Sequence, residues 1–238
     1  MIWIDAATYL VAFGLVAVLV PQRARTPVPD DARGILAGLR FIARDRVLGA
    51  ITLETLLVGM FVPLLFAGLP LLAFERYCRS SLVAGALASA WSGGALLGSV
   101  GAYRAASRSS PLRMAAIAAP WLALPIWTLA FDVPAWAGVV ALAVSGLSAP
   151  FLNAPVMTLL IVRTPTPLRG KVMTVTSTAE VATSPIGYAI AGPAFAGLGL
   201  AGVYVLVASG LTAGMAILLQ TVLRLRRELP DVELLPAA

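Results

Sequence analysis

The chain has 238 residues, of which 60% are apolar and only 12% charged, against about 45–50% and roughly 25% in an ordinary soluble domain. That much apolar surface exceeds what a core of this size hides, so lipid is the natural solvent for it. The formal charge is +6, with one Cys and no His, which excludes a disulfide framework and argues against zinc or any other metal site.

Seven apolar segments follow, over about 1–20, 48–74, 82–103, 113–131, 135–162, 171–196 and 199–223. Each is long enough to cross about 30 Å of hydrocarbon at about 1.5 Å per residue. None alternates polar and apolar residues as a β-barrel strand would. The first segment has no basic stretch before it and no small-x-small cleavage site, so it reads as a crossing helix and not as a signal peptide. Asp5 lies at its outer start, where a carboxylate suits the positive end of the helix dipole. As a carboxylate in a membrane helix, Asp5 is also a candidate for proton or substrate contact.

A connector over 21–47 comes next. Pro21 to Asp31 is turn-prone, and Asp30 or Asp31 is placed to N-cap a short helix. Ile35, Leu39 and Ile42 recur at i, i+4 and i+7, with Leu36 beside them, while Arg33, Arg40 and Arg44 fall away from that stripe. This pattern predicts an amphipathic helix on the inner membrane surface, or else a solvated helical linker.

The second and later segments carry the remaining intramembrane polarity. Glu54 sits eight residues past Arg46, about 12 Å along a helix, where it lines a cavity or else snorkels toward a loop arginine. Asn153 lies between Pro150 and Pro155, a pair that loosens a helix and frees carbonyls; a substrate contact, a gate and an interhelical hydrogen bond are all open. Glu180 sits nine residues past Lys171, about 14 Å of rise. Thr176, Glu180 and Thr183 share one face at i, i+4 and i+7, with Ser177, Thr178 and Ser184 adding polarity. That face is either a proton- or cation-binding wall or a ladder of interhelical hydrogen bonds. Pro185, Gly187, Gly192 and Pro193 on the same helix make a gate or a static kink.

The Gly94/Gly98 and Gly210/Gly214 pairs read as close-packing sites. Trp3, Trp121, Trp127 and Trp136 read as an aromatic belt, and Trp91 lies deeper, near a cavity. Cys78 falls in an outer loop.

The cations fix an expected sidedness. Alternate connections carry Arg23, Arg25, Arg33, Arg40, Arg44 and Arg46, then Arg104, Arg108 and Arg113, then Arg163, Arg169 and Lys171, then Arg224, Arg226 and Arg227. These are 15 of the 17 cations, and only Arg76 and Arg79 lie between them. The positive-inside rule then puts the N-terminus outside and the C-terminus in the cytoplasm of a multi-pass protein of the cell (plasma or inner) membrane. Spread over four loops, the basic excess is a topology signal and implies no nucleic-acid partner.

Several stretches together resemble the major facilitator superfamily, in particular its bacterial drug-efflux and siderophore-export branch. IDAATYLVAFGLVAVLVPQ is similar to the sixth helix of that branch, and GLRFIARDRVLGAI to the end of its central loop and the start of helix seven. SGGALLGSVGAYRAASRSSPLRM resembles the hairpin of helices eight and nine; TPTPLRGKVMTV and SPIGYAIAGP resemble the approach to helix eleven and its middle. The resemblance departs in the basic turn Tyr103 to Met114, which holds no acidic residue, so a gating salt bridge built on that acid is not expected. It implies an all-α integral membrane protein. One helix (1–20) and a cytoplasmic linker (21–47) precede the family's C-terminal six-helix bundle (48–223), followed by a tail (224–238). The family has twelve helices, so the chain would be a truncated product, a chain with a misplaced start, or half of a split transporter.

The function implied is secondary transport, with proton-coupled efflux (antiport) of a small organic or amphipathic solute following from the resemblance alone. The site would draw on Glu180, Thr176, Thr183, Asn153, Glu54 and Asp5, with Pro185, Gly187, Pro150 and Pro155 as gating points. Protons, the solute and the bilayer are its partners. The alternative is a non-transporting fragment or a subunit that needs a separate N-terminal half or a second copy. No phosphate loop, HExxH, GxSxG or histidine base is present, so neither an ATP-driven pump nor an enzyme is expected, and no cofactor is called for.

Overall fold

A computed structural model describes residues 2–19 and 36–228. Among these residues there are helices and no strands. The chain divides into two compact units, 1–33 and 34–238. The first contains α1 (Ile2–Leu19), 18 residues or about 27 Å of rise. Its described side chains, including Tyr9, Val11, Phe13 and Val18, are exposed, as expected of a helix solvated by apolar surroundings. The Asp5 side chain lies outside what the structure describes, as do Asp30, Asp31 and the turn-prone part of the connector.

The second unit holds α2 (Ala37–Arg44), α3 (Arg46–Arg76), α4 (Ser81–Ala106), α5 (Pro111–Ala123) with a 3₁₀ extension over Leu124–Ala130, α6 (Ala135–Arg163) and α7 (Thr166–Glu228). Five helical stretches are long and apolar enough to cross a membrane: Arg46–Arg76, Ser81–Ala106, Pro111–Ala130, Ala135–Arg163 and Thr166–Leu225. Polar side chains start three of these helices. Asp45 accepts from the backbone N–H groups of Val47 and Leu48, Ser80 from that of Val83, and Ser110 from that of Arg113 with Pro111 next in line. The 3₁₀ stretch begins where Pro125 removes a backbone donor and crowds the preceding turn; the sequence pattern alone suggests plain helix there. Within the spans, hydroxyls bond back to the carbonyl four residues earlier, as Thr55 does to Ile51 and Thr176 to Val172. This keeps them satisfied without water.

The last helix is too long for one crossing, since its 63 residues rise about 90 Å. It is broken at Gly199, whose φ of 67° and ψ of 178° are available to glycine alone. Packing against α3 shows which way each arm runs. On the first arm, Glu180 and Thr183 abut Gly59, Gly187 abuts Met60 and Pro63, and Phe195 abuts Gly68. On the second arm the order reverses: Tyr204 meets Gly68, Gly210 meets Phe61 and Gly214 meets Leu57. The arm over 166–198 therefore runs parallel to α3 and the arm over 200–228 antiparallel, so α7 is a hairpin. The sequence reading separated the same two segments near residue 197, and the reversal falls beyond the Pro185–Pro193 stretch.

Helices α4 and α6 form a second parallel pair. A Cβ on Gly94 would land on the Ala143 carbonyl, one on Gly98 on the Leu147 carbonyl, and one on Gly146 on the Trp91 carbonyl. The two backbones thus touch over two turns, which only glycine permits. Two contacts at the C-terminal end of α3 secure the stretch between the 3₁₀ turn and α6. Arg76 donates to the carbonyls of Leu129, Ala130 and Phe131, and Tyr77 donates to that of Val133. The core runs between the pairs, with Leu64, Leu65, Ile126, Leu142, Val207 and Leu211 fully buried.

Helix α2 is the described part of the connector. It starts at Ala37, with Leu36 at the N-cap position and no side-chain cap. Gly38 and Ile42 are buried and Phe41 packs on the core, while Leu36 and Leu39 are exposed. The reason is Gly38, whose bare backbone sits against the Lys171 main chain. The helix docks on the bundle through that face, and its Leu36–Leu39 stripe points away.

Candidate functional site

Glu54 is carried by α3, Asn153 by α6, and Thr176 and Glu180 by the first arm of α7. These side chains line one cavity of about 140 Å³, together with Thr55, Ser177 and an apolar wall that includes Leu152, Val156 and Met173. Counted from the arginine-bearing ends of their helices, Glu54, Asn153 and Glu180 lie about 12, 15 and 21 Å along. The three helices thus deliver them to similar depth from the same end.

Close packing makes this convergence possible. Gly59 leaves room for Thr183 and the Glu180 backbone, so α3 and α7 approach without a side chain between them. Glu54, one turn earlier on α3, is then carried to the seam. It is 8% exposed, with Gly214 of the second arm beside its Cγ. Glu54 has no ion pair with a loop arginine among the described residues and lines the cavity. Glu180 is exposed at the cavity edge and Thr176 is buried with its hydroxyl bonded to Val172.

The other residues singled out from sequence fall elsewhere. Thr183 is half-buried at the Gly59 contact, bonded to the carbonyls of Ala179 and Glu180, and does not line the cavity. Both α6 prolines, Pro150 and Pro155, lie inside a continuous helix, as does Pro185 in α7. Gly187 is buried against the Met60 carbonyl, a packing contact between helices. Trp91 stacks edge-on against Phe66 at 5.6 Å and is not part of the cavity. Trp127 donates to Thr212 at 3.0 Å, tying the 3₁₀ stretch to the second arm of α7. Sequence reasoning missed Thr55 and the methionines Met157 and Met173 on the cavity wall. Thr55 was legible as the neighbour of Glu54; the methionines carry no signal that separates a cavity wall from a core.

The first arm of α7 presents a second feature. Thr174, Ser177, Thr178, Val181, Ser184, Pro185 and Tyr188 recur at helical spacing on one side, and nearly all are exposed. The same arm buries Val172, Thr176 and Gly187 on its opposite side. On this side Thr174, Ser177 and Ser184 bond back to carbonyls of their own helix, which leaves an exposed stripe that is polar in composition with its hydroxyls already satisfied. No metal-binding cluster of His, Cys, Asp or Glu occurs among the described residues. Comparison with family models, with curated proteins and with solved structures finds no match for this chain.

Proposed function

We propose that the chain forms one wall of a secondary active transporter of the major facilitator type, in which the Glu54–Asn153–Thr176–Glu180 cavity binds a small organic or amphipathic solute in exchange for protons. The single observation that carries this is the meeting of two carboxyl groups and four uncharged polar side chains on one cavity, drawn from three membrane-length helices. Intramembrane carboxyls are costly and are retained where they bind an ion, a proton or a cationic group. Two on one small cavity make a site whose charge is balanced by a proton or a cation. The apolar wall opposite suits the hydrocarbon part of an amphipathic solute. The parallel pairing of α3 with α7 and of α4 with α6 agrees with a bundle whose crossings alternate in direction. Export as the direction of transport rests on the sequence resemblance, and the placing of the basic loops in the cytoplasm on the positive-inside rule.

A second reading is favoured by the exposed polar stripe of α7. On that reading the bundle is a subunit that transports only when a second bundle covers the stripe, since alternating access rocks two bundles about a shared site. The covering bundle would be a separate N-terminal half or a second copy.

The test is flux. The chain is reconstituted in vesicles with an imposed pH gradient, and uptake or release of ethidium, a cationic amphipathic probe, is followed by fluorescence. Gradient-driven ethidium movement that falls at least tenfold in Glu180→Gln supports the transport site. Movement with the same rate and pH dependence in the variant removes Glu180 from coupling. No movement by the chain alone, restored when the mass in the vesicle corresponds to more than 24.7 kDa, supports the subunit reading.

A further inference from the structure

Three of the basic segments meet at one end of the bundle. Arg44 and Arg46 flank the junction of α2 and α3, Arg163 ends α6, and Arg224 lies near the end of α7. All four line one open hollow of about 520 Å³, floored by Val47, Ala50 and Ile217. One carboxylate, Asp45, shares the hollow, and its capacity is used. One oxygen accepts the Val47 and Leu48 N–H groups and the other takes Arg163 Nε at 3.4 Å. Four guanidiniums against one carboxylate leave three positive charges unmatched. Arg44, Arg46 and Arg224 have no protein partner among the described residues. The terminal nitrogens of Arg163 also have no partner among the described residues, because the ion pair uses Nε.

We propose that this hollow is a phosphate-binding site, taking the phosphate group of an anionic lipid or free phosphate. Guanidinium forks match phosphate oxygens in two-point hydrogen bonds, and Gln220 and Thr221 on the same lining add neutral donors. The depth is right for a headgroup: the arginines lie at helix ends, with the apolar floor continuing toward the spans. Basic pockets between membrane helices on the cytoplasmic side hold lipid phosphates by this chemistry. The ligand would also bridge α2, α6 and α7, whose ends otherwise repel one another through like charges. The inference rests on the membrane setting and is independent of transport.

The full 238-residue chain, purified in a nonionic detergent, is titrated by native mass spectrometry with phosphatidylglycerol, with phosphatidylcholine and, separately, with inorganic phosphate. Phosphatidylglycerol is expected to bind at least tenfold more tightly than phosphatidylcholine. Each arginine contributes about fivefold near a membrane surface, so Arg46→Gln with Arg224→Gln lowers that affinity about 25-fold. A matched pair, Arg104→Gln with Arg108→Gln, changes it by less than twofold. Inorganic phosphate that binds the parent chain and not the Arg46/Arg224 variant assigns the site to soluble phosphate; a loss confined to phosphatidylglycerol assigns it to lipid. If the double variant does not fold, Gln220→Glu adds a negative charge without deleting an arginine and lowers binding about fivefold. Equal affinity for the two lipids without phosphate binding, or equal losses in the two arginine pairs, overturns the proposal.

Discussion

The α4–α6 seam and the seam between α3 and α7 are built on the same device and end in different chemistry. Both are parallel helix pairs brought into backbone contact by glycine: Gly94, Gly98 and Gly146 in the first, Gly59 and Gly187, between α3 and the first arm of α7, in the second. In the first, the neighbours of the contact are Leu87, Ala143 and Leu147, and the hydroxyl of Ser148 is spent on its own helix. In the second, Glu54, Thr55, Thr176 and Glu180 flank the contact and a cavity opens beside it. Close approach is therefore a general means of holding helices together in lipid. What makes one seam a site is the residues one turn away from the glycines.

The comparison is broken most severely at Gly98. Leucine there would drive a side chain into the Leu147 backbone, which has no flexible end to yield. Overpacking of this kind costs about 3 kcal/mol or more. The expected outcome for Gly98→Leu is loss of the folded bundle in a thermal or denaturant unfolding assay. Gly93→Leu, five residues earlier and facing open space, is expected to stay within about 0.5 kcal/mol of the parent. Equal effects of the two substitutions would mean that the α4–α6 contact does not hold the fold.

The polar seam sharpens the comparison in the opposite sense. Glu54 is buried without an ion pair, a position that favours an apolar side chain on stability grounds. Glu54→Leu is therefore expected to raise stability by about 1 kcal/mol while abolishing gradient-driven ethidium movement, the trade seen where a strained site is kept for function. A fall in stability of similar size would show that Glu54 serves packing, and the cavity would lose its claim to be a site.

Most of the architecture was legible because it depends on patterns that a single sequence carries. The apolar segments over 48–223 match the bounds of the helices and of the two arms of α7 to within about five residues, and Gly94/Gly98 announced a close contact. Four of the six proposed site residues, Glu54, Asn153, Thr176 and Glu180, share the cavity because intramembrane polarity is conspicuous one residue at a time. The rest depended on partners that the sequence does not name. Gly59 and Gly187 have no GxxxG signature, and their role follows only from what lies opposite them. The contact of α2 with the bundle is hidden for the same reason: Gly38 and Ile42 bury and Phe41 packs on the core because Gly38 fits the Lys171 backbone. Asp45, which caps α3 and pairs with Arg163, acts across 118 residues, so spacing gave no hint of it.

The smallest effect tests how the polar seam is joined to the rest of the bundle. Trp127 reads from sequence as one member of an aromatic belt, yet its indole N–H reaches Thr212 on the second arm of α7 at 3.0 Å. Thr212 also bonds the Ala208 carbonyl at 2.6 Å, so its oxygen is oriented before the tryptophan arrives. A belt residue would tolerate Trp127→Phe with no change, since phenylalanine keeps an aromatic ring at the same depth. A tie between helices would lose one interhelical hydrogen bond, worth about 0.6 kcal/mol in membrane proteins. Thr212→Val removes the same bond from the other side, so the two losses should be equal and should not add in the double variant. Full additivity in that cycle would show that the two residues act independently and that the hydrogen bond does not tie the 3₁₀ stretch to the second arm of α7.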